Sequence, residues 1–258
     1  MRLCRARDWL HFPDVAMVQP CTTVRLVFSR FAWTGDVDRK TRKISPIFHG
    51  YISLKKTGTQ RDQAIDFLRV KGIARLSELT DAGITAATVG RMVRAGEVSR
   101  LARGLYQLPD APLDANHSLA EAAKRVPRSV VCLVSALAYH ELTDQLPHAV
   151  WMAIGTRHWM PKEGRPEIRI VRFTDALLTN DVMTVHIQKV PVKVFGVAKT
   201  IADCFRHRRK VGQTVALEGL QEALRQRKAS PAEIARHAER GGVATVVRPY
   251  LEALTANA

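Results

Sequence analysis

Residues 72–111 read GIARLSELTDAGITAATVGRMVRAGEVSRLARGLYQLPDA. Glycines fall in this stretch where helices must stop and the chain must turn. Ser77 can cap a short helix over Glu78–Ala82, Gly83 makes a turn, and Thr85 can cap a further helix, Ala86–Ala95, which Gly96 ends. Glu97–Leu101 and Leu105–Leu108 then read as two strands around Arg103-Gly104, with Pro109 closing the unit. Just upstream, Asp62–Val70 sets Ala64, Ile65, Phe67 and Leu68 at helical spacing, with Gly72 as its stop. Three helices followed by a β-hairpin in about 50 residues is the plan of a winged helix-turn-helix.

Within the third of these helices, Ile84, Val89, Met92 and Val93 can face a core, while Thr85, Thr88, Arg91 and Arg94 recur every three residues along the other side. A recognition helix needs that division. One side anchors it, and the other carries donors long enough to reach base edges from inside the major groove. Arginine can bond two acceptors of guanine at once; threonine can bond a phosphate or pack on a thymine methyl. Arg100 and Arg103 put two cations at the hairpin tip, where Gly104 can take a positive φ. Such a wing contacts phosphates or enters a narrow minor groove. A solvated helix face or a polar hairpin looks much the same in isolation, and it is the succession of all these features that favours DNA. Tyr106 is expected to pack beneath the wing. Over residues 59–110 the net charge is only +2, so distribution matters more than total: four arginines between positions 91 and 103 face one acid, Glu97.

The whole chain has 258 residues, a formal net charge of +16, 46% hydrophobic and 25% charged residues. This is a soluble globular composition with a surplus of cations, which most often meets a polyanion. No apolar run approaches the ~18 residues of a membrane span. The start, MRLCRARDWLHFPD, lacks a signal-peptide pattern. Four scattered cysteines (Cys4, Cys21, Cys132, Cys204) form no CxxC pair, so a disulfide scaffold or zinc ribbon is not expected and a cytoplasmic setting is.

The chain reads as α+β in three segments. Residues 1–58 carry +7 with no sustained hydrophobic period, and are expected to be a poorly ordered basic extension. A start codon assigned too far upstream would produce such a tail; a basic arm on DNA phosphates is the functional alternative. Residues 59–112 form the winged helix-turn-helix. Residues 113–258 read as a mixed α/β domain ending in several helices. Helices are expected over Leu119–Arg125 and Ser135–Leu142, and strands over Val150–Ile154, Glu167–Phe173, Met183–Lys189 and Val192–Phe195, with Val190-Pro191 as a tight link. Helices Ala198–Arg206, Thr214–Gln226, Pro231–Glu239 and Thr245–Leu254 follow, and Leu217, Leu220 and Leu224 make a core-facing stripe. Ser230, Pro231 and Glu233 form a capped helix start.

The 72–111 stretch resembles the winged-helix domain of the AbiEi antitoxin family, transcriptional regulators of type IV toxin–antitoxin (abortive infection) systems. VPVKVFGVAKTIADCFRHRRKVGQTVALEGLQEAL (190–224) and VATVVRPYLEAL (243–254) are similar to that family's C-terminal antitoxin domain. The resemblance covers roughly residues 62–256. It implies a repressor that binds repeats in its own promoter, autoregulates its operon and counteracts a nucleotidyltransferase-type toxin, without requiring a stable complex with it.

Other constellations bear on chemistry. In Thr200-Ile-Ala-Asp-Cys-Phe, Cys204 is expected buried and Asp203 bonded to backbone or an arginine. Arg206, Arg208, Arg209 and Lys210 form a basic cluster with His207 between them. It reads first as a solvated helix end and second as an antitoxin or phosphate-binding surface. His140-Glu141 begins like a zincin motif, but the second histidine is missing. There is no GxGxxG, P-loop or GxSxG, and no cofactor, metal or enzymatic activity is expected. The runner-up readings are a winged helix fused to a Mg²⁺-dependent nuclease-like domain, with Glu167 as its acid, and a plain effector-binding repressor.

Overall fold

Helix α1 (Gln60–Lys71) opens the described part of a computed structural model, which covers residues 58–112, 114–158, 160 and 164–256. The expected basic extension lies outside these residues. The α1 start is fixed by a reciprocal cap: the Asp62 N–H donates to the Thr59 hydroxyl, and the Thr59 N–H donates to the Asp62 carboxylate at 3.1 Å. Strand β1 (Ala74–Arg75), α2 (Leu76–Asp81), α3 (Ala86–Arg94), β2 (Ser99–Ala102) and β3 (Leu105–Gln107) follow. The three strands form a sheet in the order β1-β3-β2. Beneath it, Ala64, Leu68, Leu79, Ile84, Val89, Met92, Val98 and Tyr106 share one apolar cluster. This is a winged-helix-like arrangement. The two-residue β1 was not expected; it is too short for any alternation to show. Ser77 is not the cap of α2. The helix begins two residues earlier than expected, at Leu76, where the Arg75 N–H donates to the Glu78 carboxylate at 2.7 Å.

The rest of the chain runs α4 (His117–Arg125), β4 (Val130–Val131), α5 (Leu133–Tyr139), β5 (Val150–Gly155), β6 (Ile168–Phe173), α6 (Asp175–Leu178), β7 (Val182–Ile187) and β8 (Val190–Phe195). Then come α7 (Val197–Arg206), α8 (Arg208–Val211), α9 (Gln213–Arg225), α10 (Pro231–Arg240) and α11 (Ala244–Thr255). The five strands order as β6-β5-β4-β8-β7. β5 runs parallel to β6 and β4 parallel to β8, while β4–β5 and β7–β8 are antiparallel. Alternation along β5 sends Val150 and Met152 to one face, against Leu119, Ala120 and Val192. Trp151 and Ala153 go to the other, against Phe173, Phe195 and the terminal helices.

Val190-Pro191 is not the link between the last two strands. The turn is Gln188-Lys189, with φ of 48° and 66°, and Pro191 sits inside β8 opposite His186. A two-residue hairpin turn of this hand needs positive φ at both positions, which proline's ring forbids. α5 starts at Leu133 rather than Ser135. The Ser135 hydroxyl instead accepts the Trp151 N–H at 2.9 Å and ties the helix to β5. Ser230 and Glu233 do cap α10. In the α9 stripe Leu220 is fully buried, whereas Leu217 and Leu224 lie at its margin.

All described residues fall in one compact unit. Ile73 and Leu105 of the winged-helix-like part belong to the same apolar cluster as α4 and β8. Lys124 of α4 pairs with Glu78 of α2 at 2.8 Å. The Lys189 ammonium donates to the Arg69 carbonyl at 2.5 Å. Gly72, at φ 69°, permits the accompanying close approach: a Cβ there would collide with the Gln188 carbonyl oxygen.

Candidate nucleic-acid interface

Thr85 caps α3, its hydroxyl accepting the Thr88 N–H at 3.3 Å. From that start the helix turns Ile84, Val89 and Met92 inward and leaves Arg91 and Arg94 exposed. Thr88 departs from the expected face. It is only 6% exposed, and its hydroxyl donates to Gln60 Oε1 at 2.8 Å. A three-residue repeat drifts about 60° per step around a helix of 3.6 residues per turn, and α1 packs where that drift places Thr88. Gln60 also accepts from Thr85 at 3.1 Å. Thr88 therefore anchors α3 and orients Arg91, whose guanidinium donates to its hydroxyl at 3.2 Å. The sequence offered no signal for Gln60, since a polar residue on a first helical turn is ordinary.

Arg100 and Arg103 are exposed on the hairpin, and Gly104 takes φ 75° at its tip. The Gly104 carbonyl accepts the Leu76 N–H at 2.9 Å, which fixes the wing to the start of α2. Tyr106 is 9% exposed and packs in the core under the wing. Between α3 and the hairpin lies a groove of about 740 Å³, lined by Arg91, Arg94, Arg100, Ala87, Gly90 and Tyr106. Glu97 does not oppose this positive field. Arg61 donates to its carboxylate at 2.6 Å, and that hydrogen bond holds the carboxyl below its usual range. Arg94, Arg100 and Arg103 have no carboxylate within 4 Å among the described residues.

Gly90 sits on the exposed side of α3 with nothing within 4 Å of where a Cβ would stand. Gly90→Ala should therefore stabilise the protein by about 0.5–1 kcal/mol, the usual helical preference for alanine. Chemical denaturation would read it directly. A destabilised Gly90→Ala would mean that the position is not the open helical site described.

The second basic cluster straddles the junction of α7 and α8. Arg206, Arg209 and Lys210 are exposed, while Arg208 is half-buried and donates to the Phe205 carbonyl at 3.1 Å. His207 points inward, edge-on to Phe173 at 5.4 Å, and its Nε2 is buried without a hydrogen-bond partner among the described residues. Burial, then Lys210, Arg206 and Lys199, pull its pKa down to about 4. A histidine depressed in the folded state stays neutral there while the unfolded chain takes up a proton, so stability is lost as pH falls from about 6.5 to 4. The side chain is only partly buried, so solvent screening limits the effect to about 1–2 kcal/mol. His207→Phe should flatten the wild-type fall in melting temperature across that range. Parallel curves for the two proteins would refute the assignment.

Among the described residues the Asp203 carboxylate bonds neither backbone nor arginine. Its partner is Lys199, one turn earlier on α7, at 2.8 Å, with both side chains buried. The Lys199 ammonium also lies 4.2 Å from the centre of the Phe195 ring and 5.2 Å from that of Phe173. Cys204 is fully buried, as is Cys132, and burial pushes both thiols up. The His140 ring donates to the Phe195 carbonyl at 2.8 Å. Glu167 is exposed just before β6, with Arg169 at 3.4 Å. Among the described residues no three His, Cys, Asp or Glu side chains gather as a metal-ligand set.

Residues 62–109, from α1 to just past the hairpin, match a family model described as transcriptional regulator, AbiEi antitoxin. Over this segment the chain is similar to a family of transcriptional regulators. No curated protein matches the chain. Among solved structures, the chain is similar to the RV2827C protein from Mycobacterium tuberculosis, at 14% identity and a TM-score of 0.48, over 77% of this chain and 81% of that one. Among the described residues no helix is long and apolar enough to cross a membrane.

Proposed function

We propose that the protein is a DNA-binding transcriptional repressor and the antitoxin of a type IV toxin–antitoxin system, acting in the cytoplasm and without enzymatic activity of its own. The observation that carries this reading is the exposed arginine set around the α3–hairpin groove, inside the segment that matches the regulator family. Arg91 and Arg94 would read base edges from α3, and Thr85 would contact a phosphate at its start. Arg100 and Arg103 would hold phosphates or enter the adjacent minor groove. The target would be repeats in the protein's own promoter, so that the protein limits its own operon.

In this reading residues 59–112 serve DNA and residues 113–258 serve antitoxicity against a nucleotidyltransferase-type toxin, with no stable complex needed. Arg206, Arg208, Arg209 and Lys210 are the antitoxin surface. Neutralising Arg208, Arg209 and Lys210 together should cost little stability, because Arg209 and Lys210 are exposed and only Arg208 makes a backbone bond. The triple variant should melt within a few degrees of wild type yet lose protection of cells expressing the toxin, while still shifting promoter DNA. Full protection by the triple variant would remove the cluster from the antitoxin role. Protection by residues 59–112 alone, equal to that of the whole chain, would remove the division of labour.

A further inference from the structure

A second cavity, of about 380 Å³, lies where β1 meets α2, beside the α4–β4 connection and the loop after β5. Its walls carry Arg75, Arg125, Arg128 and His158 over an apolar floor that includes Ile154, and among the described residues none that lines it is acidic. We propose that this cavity is a binding site for a phosphate group, separate from the α3–hairpin groove.

Each wall is held by the fold. Arg75 is set by the β1–β3 pairing opposite Leu105 and by its own N–H on Glu78. Both oxygens of Glu78 are occupied by the Lys124 ammonium, at 2.8 and 2.9 Å, and the Arg75 guanidinium has no carboxylate within 4 Å among the described residues. It is nevertheless partly buried, and that burial lowers its pKa. Glu78 offsets that burial only in part, and an anion brought against the guanidinium would offset it further. Arg128 stands on a tight turn in which the Ser129 N–H and hydroxyl both donate to the Val126 carbonyl. Its φ of 67° is uncommon for a residue with a Cβ. Arg125 donates to the Pro166 carbonyl at 2.6 Å, which fixes the side chain at the cavity wall.

The loop bearing His158 is clamped by Arg172, whose guanidinium donates to the carbonyls of Gly155, Thr156 and His158 at 3.3, 2.6 and 3.1 Å. The Gly155 N–H donates to His158 Nδ1 at 3.3 Å. The neutral ring therefore carries its proton on Nε2, which remains a donor. The guanidinium groups of Arg75, Arg125 and Arg128 present several donors to one cavity, which suits the oxygens of a phosphate, since these accept from many directions at once.

The test uses the full chain and inorganic phosphate, with ionic strength held constant by sodium chloride. Phosphate should raise the melting temperature saturably. The half-saturating concentration should rise at least tenfold in Arg128→Gln and in Arg75→Gln, but not in Arg91→Gln. Should Arg75→Gln fail to fold, Arg128→Gln at its exposed position carries the comparison. Stabilisation no greater than that given by chloride, or equal in Arg128→Gln and wild type, would overturn the site. Two further arms separate the sources of the phosphate. If Arg128→Gln weakens binding of the promoter duplex and phosphate competes with it, the group belongs to the DNA backbone. If duplex binding is unchanged and ADP binds more tightly than phosphate, it belongs to a small ligand.

Discussion

Lys199→Ala should destabilise the protein by about 3–5 kcal/mol, the usual loss when one partner of a buried ion pair is removed. The two side chains are 3% and 4% exposed and 2.8 Å apart, in the middle of the apolar cluster that joins α5, α7, α9, α10 and α11 to the five-stranded sheet. Burial already pushes the Asp203 carboxyl up against the pull of Lys199. Without the ammonium, the carboxylate must either stay charged in an apolar core or take a proton, and both oppose folding near pH 7. The rings of Phe173 and Phe195 lose their cation as well. Pairing Lys199→Met with Asp203→Leu should recover much of the loss, because no charge is then left unpaired. Denaturant unfolding of the single and double variants checks both statements. A loss under about 1 kcal/mol in Lys199→Ala would mean that water reaches Asp203 and the pair is not buried as described.

Arg91→Ala and Arg94→Ala should each weaken promoter binding by about 1–3 kcal/mol, or roughly 5–150-fold, if the side chain makes a bidentate contact to a base. Arg100→Ala and Arg103→Ala should cost less and lower affinity for all duplexes alike, with the salt dependence of binding falling by about one ion per lost phosphate contact. Among the described residues none of the four arginines has a carboxylate partner to lose, so folding should be unaffected. Arg91 gives up one hydrogen bond to Thr88. Fluorescence anisotropy across a salt series would separate the two behaviours. Equal, salt-parallel losses at all four positions would mean that α3 reads no bases.

The winged-helix-like segment was legible because its punctuation is chemical. Thr85 supplies a capping hydroxyl, Gly83 and Gly96 supply the positive φ that ends and turns helices, and Gly104 does the same for the hairpin. The apolar spacing of Ile84, Val89 and Met92 then fixed which side of α3 turns inward. What escaped was set by partners distant in sequence. Thr88 looked free because its bonding partner, Gln60, lies 28 residues upstream. A separation of 36 residues likewise hid the Arg61–Glu97 pair, which alters the field around α3.

In the remainder of the chain, long strands with alternating residues were readable, whereas β4 has two residues and shows no period. The β7–β8 turn escaped because Gln188 and Lys189 are unusual residues for positive φ, while the neighbouring Val190-Pro191 looks like punctuation. Lys199 could have been matched to Asp203 from their four-residue spacing on one helix. The basic cluster that begins at Arg206, three residues after Asp203, offers arginine as a competing partner. The walls of the second cavity come from positions 75, 125, 128 and 158, and only the tertiary fold brings them together.

Recognition of specific DNA by the α3–hairpin face can be read in one titration. The full chain and its Arg91→Ala/Arg94→Ala double variant are titrated at one fixed salt concentration against a duplex from the protein's own promoter region and against a shuffled duplex of equal length and composition. Wild type should prefer the promoter duplex by at least about 10³-fold, as specific DNA-binding proteins do. In the double variant that preference should fall by at least tenfold, while binding to the shuffled duplex changes far less and the melting temperature stays the same. Unchanged preference in the double variant, or no preference in wild type, would contradict such recognition.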